Sequence, residues 1–145
     1  MLNNVYGNYA TNNGGGSYLN NSINTTIIGS VYGNSAQFGG GLELVYSSYN
    51  IISGNVYSNT AITYDGGGIS LWVSTYNTIS GSVYGNSATN GGGVFLRNSD
   101  YFTNIGWITN NHANTTGGGV YTNTSHPNSY LGVGRVINNI PNNFN

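Results

Sequence analysis

A six-residue motif returns along the chain at a nearly constant spacing. The first copy is Val5-Tyr6-Gly7-Asn8-Tyr9-Ala10. Related segments begin at later positions, which are Val31, Val56, Val83, Ile108 and, for a partial copy, Val136. The successive intervals are 26, 25, 27, 25 and 28 residues, and each of the first five copies precedes a triple glycine, at residues 14–16, 39–41, 66–68, 91–93 and 117–119. Such a period indicates a repeat architecture.

The apolar residues of each repeat form short runs separated by Gly and Asn, which favours short strands joined by tight corners. One repeat holds too few apolar residues to bury them alone. The repeats must therefore stack, and strands stacked in register at about 4.8 Å form parallel sheets. We predict an all-β chain with a single parallel β-helix domain over residues 1–145, in about five coils of 25–28 residues with roughly three strands each. The preference for right-handed parallel crossovers predicts a right-handed coil.

Three columns of inward side chains are expected to form the core, because the same apolar residue type recurs at the same phase of the repeat. The first column follows the start of the motif and comprises Val5, Val31, Val56, Val83, Ile108 and Val136. The second follows its end and comprises Ala10, Ala36, Ala61, Ala88 and Ala113. The third follows the glycines and comprises Leu19, Leu44, Leu71 and Leu96, ending in Thr122.

The composition fits this architecture, although by itself it would suggest disorder. Asn, Gly, Ser and Thr make up 81 of the 145 residues, but only 3% of residues are charged and 13% are aromatic. Disordered chains usually show the opposite balance. An asparagine recurs in every copy of the motif, and stacked amides can hydrogen-bond from coil to coil. We predict a structural ladder of Asn8, Asn34, Asn59, Asn86, Asn111 and Asn139.

Two short motifs carry a family resemblance. The segments Gly91-Gly92-Gly93-Val94 and Val83-Tyr84-Gly85-Asn86 resemble the repeats of polymorphic outer-membrane proteins and adhesin-like surface proteins, with Val where that family usually has Phe. The resemblance spans nearly the whole chain. It implies the pectin-lyase-like right-handed β-helix fold and a surface-exposed, adhesive or structural role. An extracellular or cell-surface location is expected on the same ground.

The acidic residues do not predict a catalytic site. Glycoside hydrolysis needs two carboxyl groups about 5 to 9.5 Å apart, and the only acids are Glu43, Asp65 and Asp100. Glu43 is expected to point outward between Tyr18 and Ser70 of the adjoining coils. Asp65 precedes Ser70 by five residues, which is on the order of 15 Å in an extended chain. Asp100 is expected to form a surface ion pair with nearby Arg97. We predict no enzyme activity, and a polysaccharide-degrading enzyme is the less favoured alternative.

Other chemistries are also disfavoured. The two histidines, His112 and His126, have no evident third ligand for zinc, there is no cysteine, and no glycine triplet is followed by the aspartate of a calcium-binding repeat. We therefore predict no cofactor and no metal. Two arginines, no lysine and a net charge of -1 cannot neutralise a nucleic-acid backbone. No apolar run approaches the roughly 20 residues that span a bilayer.

Outward aromatic residues are the candidate binding or assembly surface. Tyr6, Tyr32, Tyr57 and Tyr84 should form one column, and Tyr18, Phe95 and Tyr121 a broken second one beside Glu43 and Ser70. Tyrosine combines apolar area with a polar tip and can contact sugars or proteins. The alternative is that each tyrosine only stacks on its neighbours. Ice binding is disfavoured because the outward columns mix Tyr, Ser, Asn and Thr.

The two ends of the repeat array are at the same phase. The chain starts at the Val-Tyr-Gly-Asn phase and ends at Val136-Ile137-Asn138-Asn139, with no amphipathic helix to cap the open strand edges. Head-to-tail contacts between copies would then generate filaments, and low charge favours such stacking. We predict a non-catalytic structural protein, a self-associating subunit of an extracellular fibre or cell-surface layer. The alternatives are an adhesin or glycan-binding module using the tyrosines, a piece of a longer β-helix, and termination of pairing by Pro141.

Overall fold

The computed structural model describes residues 4–123, 130–132 and 134–145. Within these residues the chain forms short strands and no helix, and every strand pairing is parallel. The strands stack into four sheets that run along a common axis. The predicted all-β parallel solenoid of about five coils is confirmed. Its right-handed sense stays a prediction.

The four sheets are numbered here in the order in which each coil visits them. Sheet I comprises β1 (Val5–Tyr6), β4 (Val31–Tyr32), β8 (Val56–Tyr57), β12 (Val83–Tyr84), β16 (Trp107–Thr109) and β20 (Arg135–Ile137). Sheet II comprises β5 (Ser35–Ala36), β9 (Thr60–Ala61), β13 (Ser87–Asn90) and β17 (His112–Thr116). Sheet III comprises β2 (Ser17–Asn20), β6 (Leu42–Val45), β10 (Ile69–Trp72), β14 (Val94–Arg97) and β18 (Val120–Asn123). Sheet IV comprises β3 (Thr26–Ile27), β7 (Ile51–Ile52), β11 (Thr78–Ile79), β15 (Phe102–Asn104) and β19 (Tyr130–Gly132).

The second to fifth coils have four strands each, where roughly three were expected, and the first coil has three. The six-residue motif supplies two strands because its central pair turns the chain between sheet I and sheet II. Gly33 has a φ of 64° at this corner, and the next residue, Asn34, is buried. Ser58 and Asn110 occupy the same corner with φ of 55° and 54°. The corner therefore requires a left-handed residue, which glycine adopts without the Cβ clash of other residues.

The core lies between the sheets and is built from in-register columns. In sheet I each valine of the motif pairs with its counterpart in the next coil, from Val5 to Val136. The leucine column runs through sheet III from Leu19 to Thr122. Sheet IV adds an isoleucine column that the sequence analysis did not include, with Ile52 and Ile79 fully buried. Each such side chain contributes about 1.5 to 3 kcal/mol of burial free energy before entropy losses.

The triple glycines lie where adjacent coils approach most closely. A Cβ on Gly41 would lie 2.5 Å from the carbonyl oxygen of Gly68 in the next coil and 2.9 Å from Nδ2 of Asn59. No side chain fits in that space. The glycines therefore allow backbone and Asn ladder to pack directly against one another at the entrance to sheet III.

Candidate functional surfaces

The six predicted ladder asparagines form one hydrogen-bonded column between sheets I and II. In a typical member, the backbone N–H and Nδ2 of Asn34 both donate to Oδ1 of Asn59 at 3.0 Å, and Nδ2 also donates to the carbonyl of Val5 at 3.0 Å. Asn59 makes the same bonds to Asn86 and Val31. These amides have no donor left for a ligand, because both hydrogens of each Nδ2 are used within the column. The column stabilises the corner and does not bind from outside.

Two further polar columns hold the corner between sheets III and IV, and the sequence analysis missed them. Oγ of Ser74 accepts from the backbone N–H of Ser47 at 2.9 Å, and Oγ of Ser99 accepts from that of Ser74 at 3.0 Å. Asn50 donates from both its backbone N–H and Nδ2 to Oδ1 of Asn77. The signal was present, since these serines and asparagines recur at the period of the motif.

The tyrosine column of sheet I is a continuous stack. The rings of Tyr6, Tyr32, Tyr57 and Tyr84 lie 5.0, 4.8 and 4.9 Å apart between centroids and are parallel within 5°. At this spacing each inner ring has both faces covered by its neighbours. The pKa of Tyr32 is raised, first by partial desolvation and then by the charges of Tyr57 and Tyr6. The inner rings offer a partner only their edges and hydroxyls, so they cannot stack their faces on sugars.

The second aromatic column was expected on the surface, and this was wrong for Phe95 and for Glu43 and Ser70 beside it, while Tyr121 is half-buried. Tyr18, Glu43, Ser70, Phe95 and Tyr121 do pair in register along sheet III. However, Glu43, Ser70 and Phe95 are buried, and Tyr18 in the first coil is the exposed member. The cause is the glycine turn, which folds the preceding segment over this face.

Close approaches at the glycine turn show this cover. A Cβ on Gly39 would lie 2.7 Å from Cβ of Glu43, and one on Gly66 would lie 2.7 Å from Cβ of Ser70. The same turn corrects the position of Asp65, which was expected on the order of 15 Å along an extended chain. The carbonyl of Asp65 accepts from the N–H of Gly39 at 3.1 Å. The chain doubles back here, so Asp65 lies beside the Glu43 column.

Glu43 is the most unusual ionisable group of the described chain. Its side chain is 1% exposed, and its Oε2 atom has no hydrogen-bond partner among the described residues. Burial raises its pKa from 4.5 to about 7. Burial also raises the pKa of Asp65, against the opposing effects of a hydrogen bond from Asn90 at 2.9 Å and of Arg97. A carboxyl group as buried as Glu43 does not contact a substrate in this conformation.

An exposed aromatic cluster lies at the turn from sheet III to sheet IV, and the sequence analysis missed it. We call it the aromatic corner and define it as Tyr46, Tyr49, Trp72, Val73, Tyr76 and Tyr101. The rings of Tyr49, Tyr76 and Tyr101 are stacked at 4.9 and 4.6 Å. The guanidinium of Arg97 lies over the ring of Trp72, 4.7 Å from its centroid. The signal was again the period, because these tyrosines are 27 and 25 residues apart.

Backbone strain marks the aromatic corner. Tyr46, Tyr49, Val73, Tyr76 and Tyr101 have φ between 49° and 59°. Side chains of this size seldom occupy the left-handed region, least of all a β-branched valine. The left-handed backbone positions of the corner therefore include those that carry the exposed side chains of Tyr46, Tyr49 and Tyr76.

The two ends of the solenoid expose apolar surface. At the first coil an opening of about 180 Å³ leads into the core, lined by Val5, Ile27, Ile28, Val31 and Leu42 among others. Ser17 lines it too, where later coils have Leu42 or Ile69 in the same column. Serine fills less of this column than leucine or isoleucine does.

At the other end, residues 140–145 begin a further coil. The carbonyl of Ile140 accepts from Ala113 at 2.7 Å, and that of Asn143 accepts from Val120 at 2.8 Å. Oδ1 of Asn143 accepts from the N–H of Asn139 at 3.1 Å, as the next ladder asparagine would. Pairing with the preceding coil therefore continues on both sides of Pro141, and whether Pro141 ends pairing with a further coil stays a prediction. Ile140 and Phe144 remain exposed on this coil.

The remaining candidate residues lie apart from these surfaces. His112 is exposed in sheet II, while His126 lies outside the described residues. The described residues include no group of three or more His, Cys, Asp or Glu side chains that could hold a metal ion. Across the same residues, no helix is long and apolar enough to cross a membrane.

Compared with known proteins, this chain matches no family model, no curated protein and no solved structure. Function must therefore be inferred from its own strand edges, ladders and exposed side chains.

Proposed function

We propose that this chain is a non-catalytic structural protein whose copies associate end to end, as the subunit of an extracellular fibre or cell-surface layer. The observation that carries the proposal is the open core at the first coil. Val5, Ile27 and Ile28, which are partly or largely exposed, line an opening where another coil would complete the apolar columns. Filling it with the coil of a second copy would bury apolar surface that water now contacts.

The strand edges at the two ends are of the same kind. Sheet I begins with β1 and finishes with β20, and both are parallel strands of the same column. Each has an outer edge that pairs with no other described strand. A strand edge of this kind is a template for addition of another strand. Contacts between two different ends are heterologous, so they propagate into a filament.

Low charge makes such a stack tolerable. Stacked copies repeat every side chain along one axis, and like charges at strand spacing repel. The chain has only two basic and three acidic residues. Both arginines lie over tryptophan rings on the side walls, Arg97 over Trp72 and Arg135 over Trp107.

Electron microscopy and sedimentation of the purified chain test the proposal. We expect filaments whose mass grows with protein concentration. A lysine in place of either exposed end residue, Ile28→Lys in the first coil or Ile140→Lys in the last, should place a charge in the junction and prevent elongation. Ile28 is 58% exposed and Ile140 is 61% exposed, so neither change disrupts the core.

The matched control is Ile51→Lys, which adds the same charge to an exposed isoleucine on the side wall of sheet IV. Filaments should survive this change. Monomers of the unchanged chain at every concentration would refute the proposal. Equal loss of filaments in the control and the end variants would also refute it, because association would then not depend on the ends.

A further inference from the structure

The fold does not require aromatic residues at the aromatic corner. The position of Tyr49 and Tyr76 is occupied by Asn24 in the first coil, with φ of 56°. The position of Tyr46 is occupied in the same way by Asn21 and, two coils further on, by Asn98. Asparagine tolerates the left-handed conformation much better than tyrosine or valine. The corner therefore keeps aromatic side chains where the backbone alone favours asparagine.

These side chains are presented to solvent. Tyr46 is 57% exposed and Tyr49 is 54% exposed, and Trp72 and Tyr76 are also exposed. No ring of the described residues stacks on Tyr46, whose column neighbours in the adjoining coils are Asn21 and Val73. Large aromatic groups held exposed on strained backbone mark a functional surface rather than a packing solution.

The corner also carries hydrogen-bonding groups beside its rings. The hydroxyls of Ser48 and Thr75 lie 3.1 Å apart between the aromatic positions. The exposed guanidinium of Arg97 adds N–H donors next to Trp72. Exposed ring edges with interspersed hydroxyl and N–H groups suit a ligand that carries both C–H and hydroxyl groups.

We propose that the aromatic corner is a binding site for a neutral polysaccharide chain that lies along the solenoid axis. The stacked tyrosines, whose rings are 4.6 to 4.9 Å apart, present ring edges and hydroxyls in a row parallel to that axis, which fits a linear ligand that carries hydroxyl groups along its length. The row is narrow and lies on the outer turn between two sheets, whereas a stable protein partner needs about 800 Å² on each side. Arg97 and Asp100, which lie beside the corner in the chain, have opposite charges, so an anionic chain gains little. This site does not depend on end-to-end association.

Native affinity electrophoresis tests the proposal. The unchanged chain would run in gels that contain hydroxyethylcellulose, xyloglucan or galactomannan, and in one that contains polygalacturonate as an anionic probe. We expect retardation by at least one neutral polymer. The double variant Tyr49→Asn with Tyr76→Asn, which copies Asn24, should lose at least about tenfold in affinity. Its urea midpoint should stay close to that of the unchanged chain, because strain relief offsets the lost stacking.

The matched control is Tyr57→Thr in the sheet I column, where Thr109 already occupies the same column. It should bind as the unchanged chain does. Four results would overturn the proposal. The first three are no retardation by any neutral polymer, retardation only by polygalacturonate, and a double variant that loses stability but not binding. A fourth is a concentration-dependent mass increase abolished by the double variant, which would assign the corner to a protein contact.

Discussion

Glu43 predicts an unusual dependence of stability on pH. Its carboxyl group is 1% exposed, and burial raises its pKa from 4.5 to about 7 in the folded chain. Between these two values the unfolded chain has released this proton while the folded chain still holds it. The free energy of unfolding therefore falls as pH rises through this window, and it stays lowered above pH 7.

The size of the effect follows from the two pKa values. Each pKa unit corresponds to about 1.4 kcal/mol, so ionised Glu43 costs the folded chain about 3 kcal/mol. Between pH 5 and pH 8 this group alone should lower the free energy of unfolding by about 2 to 3 kcal/mol. The variant Glu43→Gln keeps the shape and removes the charge. It should lack this part of the decline and be about 3 kcal/mol more stable than the unchanged chain at pH 8.

Urea denaturation at pH 5, 6, 7 and 8 measures this difference. Other titrating groups are common to both chains, so the gap between their curves isolates Glu43. Asp65 also has a raised pKa, and Asp65→Asn shows how much of the remaining decline it causes. Parallel curves for the unchanged chain and Glu43→Gln would refute the reasoning. So would a variant that is the less stable of the two at pH 8.

Two further predictions test the corners by urea denaturation. Asn59→Ala removes the acceptor of two donors of Asn34 and should cost about 3 kcal/mol or more, whereas Asn114→Ala on the surface should cost little. A loss below 1 kcal/mol for Asn59→Ala would mean that the ladder is not a source of stability. Gly41→Ala should cost at least about 3 kcal/mol because its Cβ meets backbone of the next coil. Gly7→Ala, with φ of 68° and open space around it, should cost about 1 kcal/mol, and equal losses at both glycines would contradict this account.

The repeat predicted the fold because register depends on phase alone. Once Val5 and Val31 occupy the same phase, parallel stacking also aligns Asn8 with Asn34 and Leu19 with Leu44. Every column of the core and the Asn ladder follows from that single alignment.

The phase of the repeat does not predict the direction in which a side chain next to a sharp turn points. Glu43 alternates with Leu42 and Leu44 and was expected outside, but the glycine turn folds the preceding segment over it. The fourth strand was missed for a similar reason, since Gly33 bends a motif that looks continuous in sequence.

The aromatic corner was missed because its strain is invisible in the sequence. Tyrosine at Tyr49 and Tyr76 is typical of strands, and only the left-handed backbone shows that these positions lie at a turn. The period alone could have aligned them with Asn24, but it could not have shown that they are exposed on one surface.

The most direct test of end-to-end association is a mixing experiment with the two end variants. Ile28→Lys retains a usable last coil, and Ile140→Lys retains a usable first coil. Each should be monomeric alone in sedimentation velocity. An equimolar mixture should form a dimer of one copy of each and nothing larger, because the remaining ends are both blocked. A mixture that stays monomeric, or variants that still form filaments alone, would contradict the account.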